Sequence, residues 1–130
     1  MTILGLDPGT RKCGYAVVSG IDAPPLSLGI VPIETLGERL REVLAATPVT
    51  LAAIGRGTNV TVVADVVRSL GVAIELVDER ETSLLARARF FQDHPPRGWR
   101  RIVPRGMLLP DRPIDDYAAL LIAERFLKAS

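Results

Sequence analysis

Short apolar runs alternate along this chain with longer stretches in which apolar and charged residues recur at helical spacing. Residues 2 to 6, TILGL, form the first run, which stops at Asp7-Pro8-Gly9. There proline fixes φ and glycine accepts a positive φ, so the pattern predicts a strand and then a turn. CGYAVV (13–18) and LSLGIVPIE (26–34) read as two more β segments across the SGIDAPP loop, with the spacing of an antiparallel meander. From Glu34 to Ala46, Leu36, Leu40, Val43 and Leu44 mark one helix face, with charged residues between them and Pro48 beyond the end. TLAAIG (50–55) reads as a buried strand, VTVVADVVRSL (60–70) as a helix closed by Gly71, and VAIELVDE (72–79) as another strand. Two helices complete the chain: 82–91, with Thr82 as its N-cap, and 114–128.

This order predicts an α/β fold. Its centre is a mixed five-stranded sheet, a three-strand antiparallel meander plus two parallel strands, flanked by helices. Ligands of such sheets gather beyond the carboxyl ends of the parallel strands, and Asp7, Gly55 and Glu79 fall at ends of that kind.

Composition narrows the picture. The 130 residues, 48% hydrophobic, suit one domain spanning 1–130. A net charge of +1 announces no nucleic-acid partner, so any electrostatic argument rests on where the charges lie. A single cysteine, Cys13, excludes an intramolecular disulfide and reads as a core residue. The start MTILGLDPG lacks the features of a secretion signal, and no apolar run approaches bilayer length, so a cytoplasmic protein with no membrane partner is expected.

Charge is concentrated in one window. From Arg80 to Arg112 there are eight of the sixteen basic residues against three acids, a net charge of +5. Within it, Arg97, Arg100, Arg101 and Arg105 surround Trp99, the mixture expected for phosphate contacts plus stacking on an unpaired base. A solvated loop whose tryptophan packs on the body would read the same way. His94, beside two prolines, is expected at the surface.

The acids give a second constellation. Asp7 could serve only the turn, Glu79 only a solvated strand end, and Asp115 and Asp116 only the positive end of the last helix. Together they have a further reading, because hard cations take oxygen ligands and metal-assisted phosphodiester hydrolysis needs several carboxylates. Strands about 4.8 Å apart place Asp7 and Glu79 roughly 10 Å apart at the backbone if their strands are separated by one other. With no partner histidine or cysteine to favour zinc, Mg²⁺ or Mn²⁺ suits the set.

ILGLDPGTRKCGYAVV (3–18), VDERET (77–82) and IDDYAALLI (114–122) resemble the RuvC and YqgF branches of the ribonuclease-H-like nucleases, over nearly the whole chain. The resemblance implies a metal-dependent nuclease in which Asp7, Glu79 and Asp115 take the catalytic acidic positions as metal ligands. Asp116 is a one-residue alternative for the last. The resolvase branch carries a glutamate at the end of its fourth strand, where this chain reads AAIGRGTN without an acid, so the likeness is nearer YqgF. That implies RNA as the favoured substrate, with ribosomal RNA precursor processing in the cytoplasm, and branched DNA such as Holliday junctions second. Arg56 and Glu81 depart from the YqgF pattern; the first reads as a phosphate contact or, in preference, a solvated loop residue, and the second as a fourth ligand or, in preference, a helix-start charge. The family implies a monomer or a homodimer. Two rival readings stand beside it. One is a noncatalytic nucleic-acid-binding scaffold of the same fold. The other is a lobe of an actin-like ATPase, whose opening LDPGT resembles but whose two-lobed size this chain lacks.

Overall fold

The computed structural model describes residues 2–21, 23–78, 82–95 and 113–129. Its elements run β1 (Ile3–Pro8), β2 (Lys12–Val18), β3 (Ser27–Pro32), α1 (Leu36–Ala46), β4 (Leu51–Gly55), α2 (Val60–Ser69), β5 (Ala73–Val77), α3 (Thr82–Asp93) and α4 (Asp115–Ala129). One five-stranded sheet takes the order β3-β2-β1-β4-β5. Its first three strands pair antiparallel, and β1 pairs parallel with β4 and β4 with β5, so the predicted sheet is the observed one. No helix among the described residues is long and apolar enough to cross a membrane.

Three boundaries differ from the sequence expectation. The first strand does not stop before Asp7: Asp7 and Pro8 still pair with Gly14 and Cys13 of β2. Pro8 can close the ladder because a terminal strand position tolerates the missing N–H. The turn therefore begins at Gly9, whose N–H donates to the Lys12 carbonyl at 2.9 Å. Before α1, Ile33–Thr35 form a 3-10 turn, so the α-helix starts at Leu36 rather than Glu34. At the other side of the sheet β5 ends at Val77, short of residue 79.

Strand alternation divides the core into two layers. Leu4 and Leu6 of β1 face α1 and α2, where Leu36, Leu40 and Val63 are fully buried. Ile3 and Ala53 belong to the opposite layer, with Phe90 and Phe91 of α3 and Leu120 and Ile122 of α4. Burying each large side chain contributes about 1.5–3 kcal/mol. A glycine supplies the sharp reversal between α2 and β5, as expected. Gly71 has φ +80, its N–H donates to the Arg68 carbonyl at 2.9 Å, and the chain re-enters the sheet at Ala73. Between α3 and α4, Arg89 Nη1 donates to both carboxylate oxygens of Glu124 at 3.0 and 3.2 Å, and this largely buried ion pair fixes the register of the two helices.

Candidate functional site

Asp7 is the second-last residue of β1 and half-buried. Alternation puts it on the face of Ile3 and Gly5, the face covered by α4. Its cross-strand partner is Gly14. A Cβ on Gly14 would collide with the backbone carbonyl of Asp115 and lie 2.8 Å from the Asp116 nitrogen. Gly5 repeats the device further down β1, where a Cβ would strike the Ala119 carbonyl and lie 2.8 Å from Ala123 Cβ. Residues 115, 119 and 123 follow one another at i, i+4 and i+8, so one stripe of α4 rests on the two glycines. The first turn of α4 is thereby seated on the residue directly opposite Asp7, which brings the backbone of Asp115 to the edge of the sheet where Asp7 lies.

This seating separates Asp115 from Asp116. Asp115 is half-buried, and desolvation raises its pKa above the ordinary value of 3.8; Lys12 opposes that rise and the Asp116 charge adds to it. Asp116 is only 6% exposed, and its Oδ1 accepts the Tyr117 N–H at 2.9 Å. Asp115 is the acid that stands on the glycine-seated stripe, and Asp116 is a buried neighbour that acts on it through charge.

Among the described residues no three His, Cys, Asp or Glu side chains gather into a metal-holding group. Glu79, the remaining expected ligand, lies outside the described residues, as do Glu81, Arg97, Trp99, Arg100, Arg101 and Arg105. What the described residues offer a metal is consistent with hard oxygen ligation. Cys13 is adjacent in sequence but fully buried in the α1/α2 layer, where burial, and then the charge of Asp7, push its thiol up to about 12. A thiol held protonated is no ligand. His94 is exposed at the end of α3, its ring stacked on Phe90 at 4.5 Å between centroids, as a surface residue.

The β4–α2 loop contributes a residue that the sequence reading missed. Asn59 Nδ2 donates two 2.8 Å hydrogen bonds, to the carbonyls of Gly9 and Thr10, and so ties this loop to the turn that follows Asp7. Gly57 makes the approach feasible, since a Cβ there would collide with the Pro8 carbonyl. Arg56, between Gly55 and Gly57, is exposed, as a solvated loop residue would be. The signal was in the GRGTN string itself: two glycines ahead of a helix mark a loop that must come close to another backbone.

Two structures of Thermus thermophilus RuvC align with this chain. One covers 100% of this chain and 98% of that one at TM-score 0.61 and 16% identity. The other, in complex with a Holliday junction substrate, covers 95% and 91% at TM-score 0.60 and 19% identity. The chain has the RuvC fold. A Fowlpox virus resolvase in complex with Holliday junction DNA aligns over 99% of this chain and 98% of that one, at TM-score 0.61 and 9% identity. In sequence, the crossover junction endodeoxyribonuclease RuvC of Aliarcobacter butzleri (strain RM4018) is 51% identical over 37 residues, which span 27% of this chain and 24% of that protein. No family model matches the chain.

Proposed function

We propose that this protein is a divalent-metal-dependent nuclease that hydrolyses phosphodiester bonds in branched DNA of the Holliday junction type. The observation that supports the reading is the glycine seat: Gly14, the cross-strand partner of Asp7, lets the first turn of α4 lie on the sheet, so the chain segments that carry Asp7 and Asp115 meet at one sheet edge. Asp7 and Asp115, with Glu79 two residues beyond β5 in the sequence, would hold Mg²⁺ or Mn²⁺. Such an ion, when bound, supplies charge neutralisation at the phosphate and a lowered pKa for water. The carboxylates themselves do not attack. The strand ladder fixes the backbone of Asp7 and the packed stripe of α4 that of Asp115, so the segments carrying both proposed ligands are ordered before any ion binds.

Junction DNA is favoured over RNA because RuvC and viral resolvase structures of this fold carry that substrate. One feature of this chain supports RNA as the second reading: β4 ends in Gly55, paired with Val77, where the resolvase pattern has an acid. The basic window around Trp99 would position either strand, and the YqgF likeness would place the activity in ribosomal RNA maturation.

A cleavage assay with Mn²⁺ tests the reading, using a labelled four-way DNA junction, structured RNA and single-stranded RNA, with wild type and Asp7→Asn in parallel. Cleavage of the junction by wild type and none by Asp7→Asn is the expected result. Cleavage of RNA instead selects the second reading. Full activity in folded Asp7→Asn removes the acidic site, and no cleavage of any substrate leaves a nucleic-acid-binding scaffold.

A further inference from the structure

Two cations, Arg11 in the β1–β2 turn and Lys12 at the start of β2, stand beside the acidic edge, and the Lys12 charge already acts on Asp115. Arg11 and Lys12 are exposed, and among the described residues their charged ends have no hydrogen-bond or ion-pair partner. They line an open cavity of about 270 Å³ together with Gly9, Thr10 and Asp115. Its wall is held in place from three directions. The Gly9 N–H closes the turn on the Lys12 carbonyl at 2.9 Å, the Ile33 N–H donates to the Arg11 carbonyl at 2.9 Å, and Asn59 clamps the carbonyls of Gly9 and Thr10.

An anion entering this cavity would meet a guanidinium and an ammonium on a backbone already ordered, with a carboxylate of the acidic edge as the opposite wall. A free carboxylate ligand has no reason to lie against Asp115. A strand of successive phosphates does once the acidic edge holds the divalent ion of the nuclease reading, since one phosphate can face the two cations while the next meets that ion. We propose that the cavity is a phosphate subsite, in which Arg11 and Lys12 grip one phosphodiester of a nucleic-acid strand directly beside Asp115. The inference rests on the nuclease reading above and adds to it the point where the strand is anchored. Arginine offers a paired-donor fork to the phosphate oxygens, and lysine a point charge.

The test compares wild type with Arg11→Gln/Lys12→Gln, and with Arg41→Gln on the exposed face of α1 as a remote charge control. Binding of a labelled four-way DNA junction and of a structured RNA is followed by fluorescence anisotropy across a salt series, with Ca²⁺ replacing the catalytic ion. The double variant should show weaker binding and a salt slope shallower by about 0.9 for each duplex-DNA phosphate that is no longer neutralised, while Arg41→Gln keeps the wild-type slope. The nucleic acid whose slope changes identifies the strand. An unchanged slope in the double variant, with wild type bound, overturns the subsite. If wild type binds neither nucleic acid, the nuclease reading falls, and dimethyl phosphate then decides the subsite by itself. Amide shifts at residues 9–12 in wild type that vanish in the double variant uphold it, and their absence from wild type overturns it.

Discussion

The two faces of the sheet differ in how closely their helices approach. Under α1 and α2 the strands offer large aliphatic side chains, and Leu4, Leu6, Leu36 and Leu40 fill the space between the layers without exposure. Under α4 the strands offer Gly5 and Gly14, and the helix answers with Ala119, Ala123 and its own backbone. The first face yields burial energy through side-chain volume. The second holds large side chains too, Ile3, Phe90, Leu120 and Ile122 among them, but along one stripe it gives up volume at Gly5 and Gly14, so that the backbone of α4, Asp115 included, lies directly on the sheet. Close approach is thus confined to one stripe of the second face.

The sharpest way to break this contrast is a pair of substitutions. Leu40→Ala opens a cavity in the first face and should cost about 2–5 kcal/mol in denaturant unfolding, with cleavage per folded molecule unchanged. Gly14→Ala adds one methyl group to the second face and should cost about 1–3 kcal/mol from overpacking. Its cleavage should nevertheless be abolished, because the backbone of Asp115 must move to admit the new Cβ. Equal activity in the two variants would show that the seat of α4 does not set the acid geometry.

A smaller effect is expected at the turn. Asn59→Ala removes both hydrogen bonds to the Gly9 and Thr10 carbonyls, and at about 0.5–1.5 kcal/mol for each bond the loss of stability should be roughly 1–3 kcal/mol. Because the clamp holds the turn rather than the acids, KM for the nucleic acid should rise more than kcat falls. A variant with unaltered stability and KM would reduce Asn59 to a surface residue.

The contrast between faces also explains what could be read from the sequence. Periodicity exposes side-chain volume, so the first face was legible: Leu36, Leu40 and Val43 marked α1, and the apolar runs gave every strand of the sheet. Gly71 was equally plain, since a glycine after a helical run has a local conformational meaning. Asp7 stood out because a carboxylate ended an apolar run. Gly14 and Gly5 carried no such mark, because their meaning is the absence of a side chain beneath a helix about 100 residues further along the chain. The two glycines before Asn59 marked a loop that approaches another backbone, but not which one, because the partners of Asn59 lie 49 and 50 residues away. Asp115 and Asp116 both fit the sequence pattern at the start of α4, and their different surroundings, Asp115 on the glycine-seated stripe and Asp116 buried beside it, appear only once the helix is laid on the sheet.

The smallest effect concerns the cost of the placement itself. Desolvation raises the pKa of Asp115, so in the metal-free protein its carboxylate form is disfavoured by folding. The sign follows from linkage. A group whose folded pKa exceeds its unfolded value contributes stability that is complete below the unfolded pKa and is lost as pH rises through the folded pKa. Wild type without metal should therefore lose stability, relative to Asp115→Asn, as pH rises from the acid range through the Asp115 titration. Above that range Asp115→Asn should melt higher than wild type, and the gap should close at low pH. Asp115 is half-exposed and solvent screens part of its cost, so a modest shift in Tm is expected. Thermal melts in chelator at several pH values measure the gap, and adding Mn²⁺ should then stabilise wild type and not Asp115→Asn. A variant less stable than wild type at neutral pH in chelator would mean that Asp115 is held for the fold, and the second face would lose its separate purpose.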